Sequence, residues 1–367
     1  MFSERLYFNI EEMGYRVSKF IYHKGCKKLV NDLTEQIIYM TPGQRTVYDL
    51  MAHSREIPEE LAGTFNGMVE AGVFVPEELD ETCKYNILKL DIDVNTHCNA
   101  SCVYCPQSTH KRGVRVMSFE LFTKIIDRFD GYNLKWVALH IYGEPLLDPL
   151  YRKRVEYLKE KEMRLHFFTN GSMLSKDLTD FLKDKNIFGA MFNFPSIDCE
   201  EWKYMTKLSD RHFLRAKEGI EYFIGTFAGR LEHLEIVVNG NTDNHEERTL
   251  AIKEHFSKFG DVIVNGWDSN SRAGTLENEF VKSISHQHAE FCGCPRVVNQ
   301  LHINIEGDVI LCCQDYFQSI KLGNILTDSV EEIMNSERMR SVRAQVYGLA
   351  PMEESLLCRS CTMIRTR

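Results

Sequence analysis

Cys98-Asn99-Ala100-Ser101-Cys102-Val103-Tyr104-Cys105 sets three cysteines at C-x3-C-x2-C spacing on one short run. The run follows directly on the apolar segment Ile87–Val94, which reads as a β-strand. Three thiols on a loop at a strand end can converge on three irons of a [4Fe–4S] cube. A cluster that only carries electrons takes four. The local group stops at three, which leaves one iron open to an outside ligand. Zinc is the competing reading; it favours paired C-x2-C spacings and a fourth ligand nearby, for which His97 and His110 are at hand.

Outward from this run, the chain has 12 cysteines in 367 residues. That is well below the roughly 8–10% of a small disulfide scaffold, and a chain of this length buries a full core without staples. Nine of the twelve fall in three groups, at 98–105, 292–313 and 358–361, which points to metal or cluster ligands. Apolar residues are 43%, charged residues 26%, and the net charge is −9, so general nucleic-acid binding is not expected. The start has no apolar run of signal-peptide type, and no stretch approaches about 18 apolar residues, so a cytoplasmic protein without membrane spans is expected.

The chain divides into three parts. Residues 1–84 read as a small winged-helix-like α+β module. Leu6–Ile10 and Arg16–Tyr22 suggest a hairpin, Arg45–His53 and Glu59–Ala71 helices, Gly72 a C-cap, and Phe74 and Val75 a short strand. Residues 85–275 alternate strands and helices. The strands are Ile87–Val94, Trp136–Tyr142, Leu165–Phe168, Phe188–Phe194, Leu234–Val238 and Val262–Val264. The helices are Phe119–Phe129, Leu150–Glu160, Lys176–Lys183, Leu214–Phe223 and Glu246–Lys258. This rhythm predicts an α/β fold with a parallel sheet, an open sheet or a partial barrel. Residues 276–367 carry the later cysteines around a hairpin, Gln300–Ile305 with Val309–Cys312, and a helix Ser329–Val346.

Polar residues gather at the carboxyl ends of these strands: Asn95-Thr96-His97-Cys98, Gly143-Glu144, Thr169-Asn170, Asn193, Asn239-Gly240 and Asn265-Gly266-Trp267. Asn and Gly also simply end strands, but parallel α/β folds place their sites at that end.

With these residues in place, the chain resembles the radical S-adenosylmethionine (SAM) superfamily from residue 88 to about 275. The family's CxxxCxΦC motif appears as Cys98, Cys102, Tyr104 and Cys105, and its glycine-glutamate-proline motif as Gly143-Glu144-Pro145. The family usually has two glycines there, where this chain has Tyr142-Gly143. Thr169-Asn170-Gly171 after the third strand also matches. The resemblance implies a partial (βα)6 TIM-like barrel. It implies a [4Fe–4S] cluster on Cys98, Cys102 and Cys105 whose open iron binds SAM, and a 5′-deoxyadenosyl radical that abstracts a substrate hydrogen. Glu144 would accept bonds from the methionine ammonium, and Tyr104 would lie near the adenine. Gly143, Pro145, Thr169, Asn170 and Asn193 complete the cofactor-binding candidates.

Cys294, twelve residues, Gly307, four residues and Cys312 resemble the C-x(9–15)-G-x4-C opening of SPASM and twitch domains, which hold auxiliary clusters in this superfamily. With Cys358-x2-Cys361, the shorter twitch form with one auxiliary [4Fe–4S] cluster on Cys294, Cys312, Cys358 and Cys361 is implied. Cys292 also satisfies the spacing and Cys313 abuts Cys312, so the choice within each pair stays open, as does a structural zinc ribbon.

Residues 1–84 loosely resemble the PqqD-like peptide-recognition modules fused to radical SAM peptide maturases; the bland reading is a cap on the barrel. Two functions compete: crosslinking or epimerising a ribosomally made peptide, or dehydrogenating a small molecule such as a sugar or aminocyclitol. A non-catalytic zinc protein is the outside alternative. A reductant such as flavodoxin or ferredoxin is the implied partner. Cys313, Cys292 and Arg272 are catalytic candidates; Cys199, His140 and His166 are further ones, although buried thiols and histidines are more often core.

Overall fold

The computed structural model describes residues 7–9, 14–25, 27–53, 56–240, 242–281, 283–286 and 289–367. Cys26, Leu6 and Ile10 lie outside them.

The first part forms three small sheets around two helices, Pro42–His53 and Ala62–Glu70. β1 (Tyr7–Asn9) pairs antiparallel with β6 (Glu56–Pro58), and β2 (Tyr15–Val17) pairs with β7 (Phe74–Pro76). β3 (Ile21–His23), β4 (Lys28–Asn31) and β5 (Ile37–Tyr39) make a three-stranded antiparallel sheet. The expected hairpin between the first two segments is therefore a correction: each finds its partner about fifty to sixty residues on. Strands of three residues carry too little pattern to name a partner, and packing decides. Here it is the separate apolar cluster of Leu29, Val47, Met51, Phe65, Met68 and Phe74. Gly72 ends its helix in the left-handed region at φ +69°, as expected.

The barrel strands are β8 (Lys89–Ile92), β9 (Trp136–Ala138), β10 (Leu165–Thr169), β11 (Ile187–Asn193), β12 (His233–Asn239) and β13 (Ile263–Trp267). They lie parallel and in sequence order. Asn265, Gly266 and Trp267 belong to the last strand rather than to the turn beyond it. Val137, Leu139 and Phe167 pack outward under the helices, while Trp136, Ala138 and Phe188, with Phe168, form a second cluster on the inner face. The helix Cys199–Thr206 was absent from the sequence reading; its N-cap Asp198 accepts from Glu201 N.

β15 (Gln300–Ile303) and β16 (Asp308–Ile310) form the expected hairpin, and β17 (Lys321–Asn324) extends it. β15 also pairs parallel with β8, so the hairpin continues the barrel sheet to nine strands. β14 (Phe291–Gly293) pairs with β18 (Arg365–Thr366), which draws the last cysteine pair back to Cys294. The single helix expected over Ser329–Val346 is two, Val330–Asn335 and Glu337–Val346. Ser336 takes extended ψ 148° between them and its side chain caps Met339 N, a local bond that competes with helix continuation.

The amino-terminal part docks against the lower end of the barrel and the carboxy-terminal part. Glu35 pairs with Lys89 and Lys135, Tyr347 Oη donates to Asp32 at 2.6 Å, and Asn299 Nδ2 donates to the Asp32 carbonyl at 2.7 Å.

Candidate active site and two thiol groups

The loop after β8 is fastened at its base and its middle. Asn95 bridges Val116, Thr96 N donates to the Arg115 carbonyl at 3.0 Å, and Gln107 Nε2 donates to the Thr96 carbonyl at 3.1 Å. Ser101 N and Val103 N donate to the carbonyls of Thr206 and Met205, at 3.0 and 2.9 Å, so the helix missed in the sequence clamps the cysteine run. Burial pushes the Cys98 thiol up to about 12, with the Glu144 carboxylate adding to it; Cys102 and Cys105 are raised by burial too.

The second and third strand ends close onto this loop. Glu144 N donates to the His97 carbonyl at 2.8 Å, and Asn95 Nδ2 donates to the Glu144 carbonyl at 3.0 Å. A Cβ on Gly143 would stand 2.1 Å from the Asn95 carbonyl oxygen, so only glycine fits. The buried Glu144 carboxylate accepts from Leu146 N (3.1 Å), Thr169 Oγ1 (2.6 Å) and Asn170 N (2.9 Å). Burial raises it to about 7 against those three donors. A carboxylate has about four acceptor sites, so one remains for a further donor.

Asn170 Nδ2 donates to Asn99 Oδ1 at 3.1 Å within the cysteine loop. Asn193 Nδ2 donates to the Tyr104 hydroxyl at 2.8 Å, and Asn239 Nδ2 donates to Asn193 Oδ1 at 2.9 Å. Tyr104, Gly143, Glu144, Thr169, Asn170 and Asn193 are thus brought to one mouth. Asn239 completes the chain of amides; its place at a strand end was the signal for it.

In the carboxy-terminal part, Cys294, Cys312, Cys358 and Cys361 are buried together and act on one another electrostatically. Gly307 turns the hairpin between the first two at φ +89°. Cys313 reaches Cys312 and Cys361 but faces Arg296, His302 and Arg272; these pull its thiol down to about 6 against burial. Cys292 lies half-buried on β14, two residues before the buried Cys294. Arg272 is held in the left-handed region at φ +50°, with its guanidinium 5.9 Å from the Tyr142 ring, and feels both Cys105 and Cys313. His140 and His166 face the barrel interior; their Nδ1 atoms are buried without partners.

Donor spacing separates the metal readings. A tetrahedral zinc with bonds of about 2.3 Å brings its sulfurs within about 3.8 Å of one another. Among the described residues, the only three potential ligands within 4.8 Å of one another are Cys199, Glu200 and Asp210. Lys203 already pairs both of those carboxylates. A cube, with one iron behind each sulfur, takes a wider set of thiols than a tetrahedral zinc does.

Residues 92–251 match the model of the radical SAM superfamily, and residues 292–362 that of the SPASM iron–sulfur cluster-binding domain. The chain belongs to the radical SAM superfamily. This radical SAM enzyme is 23% identical over 281 residues to the S-adenosyl-L-methionine-dependent 2-deoxy-scyllo-inosamine dehydrogenase of Niallia circulans, covering 75% of this chain and 92% of the relative. It is 22% identical over 332 residues to the serine-type anaerobic sulfatase-maturating enzyme of Bacteroides thetaiotaomicron, covering 74% and 79%. Its fold is similar to that of Streptococcus suis SuiB bound to the precursor peptide SuiA: TM-score 0.58, 11% identity, 95% of this chain and 93% of that one. Radical SAM and SPASM domains bind [4Fe–4S] clusters, and the radical SAM domain binds SAM, which sets the zinc readings aside. Among the described residues, no helix is long and apolar enough to cross a membrane.

Proposed function

We propose that this radical SAM enzyme modifies a ribosomally synthesised peptide, by crosslinking or epimerisation, with residues 1–84 as its leader-recognition module. The observation that carries this reading is the SuiB match. At 95% of the chain it takes in most of the first 84 residues, and SuiB is a protein solved with a precursor peptide. The exposed edge of the first module supports it. β5 pairs only with β4 among the described residues, and Ile37 and Tyr39 are 43% and 65% exposed on it. An extended leader would add there as a strand.

Cys98, Cys102 and Cys105 would hold the SAM-binding cluster, and Cys294, Cys312, Cys358 and Cys361 the auxiliary one. When bound, these groups and SAM supply a 5′-deoxyadenosyl radical and a path for single electrons. The chain's own residues do the rest. Glu144, fixed by Thr169 and Asn170, has one acceptor site left for the methionine ammonium. Gly143 lets the backbone come close, and Pro145 opens the short turn that follows. Tyr104, Asn193 and Asn239 form a polar rim that orients a nucleoside and excludes bulk water. A flavodoxin or ferredoxin would deliver the electron.

The test is binding of candidate precursor peptides to the full chain and to a chain lacking residues 1–84, both loaded with iron and sulfide. The deletion should weaken binding at least about 100-fold while SAM cleavage persists. Equal binding by both chains would sink the peptide reading. Product mass then divides the chemistry: loss of about two hydrogens marks crosslinking, unchanged mass with deuterium uptake marks epimerisation. A second reading, a small-molecule dehydrogenase, is favoured by the coverage of the Niallia circulans dehydrogenase; turnover of an aminocyclitol by the shortened chain would establish it instead.

A further inference from the structure

Asp32 lies in the turn that joins β4 to β5, yet its carboxylate is spent outside the first module. It is 2% exposed, accepts from the Tyr347 hydroxyl at 2.6 Å and pairs with the Arg365 guanidinium. Among the described residues no other carboxylate pairs with Arg365. Two ring contacts fix the same two side chains from the module's side. Phe20 meets the Tyr347 ring edge-on at 4.8 Å between centroids, and Arg365 stands 3.8 Å over the Tyr22 ring. Tyr347 and Arg365 in turn form the wall on which the Cys292-Gly293-Cys294 run rests. A Cβ on Gly293 would stand 2.4 Å from Arg365 Nη2 and 2.6 Å from Tyr347 Cε1. β18, which carries Arg365, pairs with β14 at Gly293. The Tyr347 oxygen also lies 3.3 Å from the Cys294 carbonyl oxygen. Its single hydrogen favours the nearer carboxylate, so Asp32 sets where the ring stands beside Cys294. Without Asp32 the Arg365 guanidinium would keep no anion, and its buried Nε already meets no partner.

We propose that Asp32 is a positioning residue of the auxiliary-cluster site, and that the first module forms one wall of that site. Through Tyr347 and Arg365 it fixes the backbone that presents the Cys294 thiol. The module is then part of the redox machinery, whatever else it binds. Glu35, in the same turn, gives the contrast: it pairs with Lys89 and Lys135 of the barrel and bonds to neither Tyr347 nor Arg365. The proposal rests on the reading of Cys294, Cys312, Cys358 and Cys361 as cluster ligands and is independent of the peptide reading.

Iron release to excess EDTA is followed without oxygen on the loaded full chain, starting from about eight irons, as for two cubes. Asp32→Asn and Tyr347→Phe should each release about four irons at least about tenfold faster than the wild type. The other four, and SAM cleavage, should keep their wild-type rates, a split that a general loss of stability would not produce. Tyr347→Phe keeps the ring and its packing, so it carries the test if Asp32→Asn folds poorly. Glu35→Gln should change release less than about twofold. A chain with alanine at Cys98, Cys102 and Cys105 isolates the auxiliary site, with about four irons. In it, Asp32→Asn should raise the reduced-to-oxidised ratio at a fixed potential at least about threefold, read by electron paramagnetic resonance, because an anion leaves and Arg365 stays. If that alanine chain held no iron, the cluster reading would fall and this proposal with it. If it held its iron, wild-type release from both Asp32→Asn and Tyr347→Phe would overturn the proposal alone. So would release from Glu35→Gln as fast as from Asp32→Asn, which would reduce Asp32 to a docking contact.

Discussion

Asn95 is the residue on which the mouth of the barrel turns. Its carbonyl leaves no space for a side chain on Gly143, its Oδ1 accepts from His97 N at 2.8 Å, and its Nδ2 holds the Glu144 carbonyl. None of this was legible in the sequence, where Asn95 looked like a strand end. Glu144 was legible as an acid in the right motif, but not the three internal donors that surround it. Inside the barrel, burial lowers His140 to about 4 and His166 to about 2. Both are neutral in the fold and protonate near pH 6.5 once unfolded. The unfolded state therefore binds more protons below that pH, and stability falls as pH falls from about 6.5. By pH 4 each site costs on the order of 3 kcal/mol. His166→Leu should flatten the acid side of the stability curve, read by urea unfolding at pH 4.5 and 7; an unchanged slope would refute the assignment.

At the scale of elements, strong periodicity and caps were readable, and pairing was not. The helices Phe119–Asp127, Tyr151–Glu160 and His245–Phe256 fall within a few residues of expectation because their apolar spacing is local information. The pairings of β1 with β6 and β2 with β7 are not local, and three-residue strands have almost no register signal. The Ser336 break was misread for a related reason: a serine is tolerated inside a helix until its hydroxyl caps the next turn. Ser329 makes a full capping box with Glu332. Ser329→Ala and Ser336→Ala should each cost about 1 kcal/mol, seen as a lowered unfolding midpoint. No loss at Ser336 would argue for one continuous helix.

Across the whole molecule, the carboxy-terminal part is continuous with the barrel rather than hung beside it. β15 lies on β8, and one apolar core runs through both. That continuity brings Arg272 between Cys105 of the barrel loop and Cys313 of the carboxy-terminal part. Replacing Cys358 and Cys361 together with alanine should lower iron from about eight to about four per chain while SAM cleavage remains measurable. Retention of all the iron would show that the four buried thiols do not hold a cluster.

The sequence by itself determined the chemistry. Thiol spacing, the glycine-glutamate-proline run and the βα rhythm are short-range patterns, and short-range patterns survive in one dimension. The tertiary structure alone decided which distant thiols come together. It set His302 against Asp91 across two strands more than two hundred residues apart in the chain. It also closed Gly143 onto Asn95 and seated the amino-terminal part beneath the barrel. Those relations depend on strand pairing and on packing between distant segments, for which no local pattern exists.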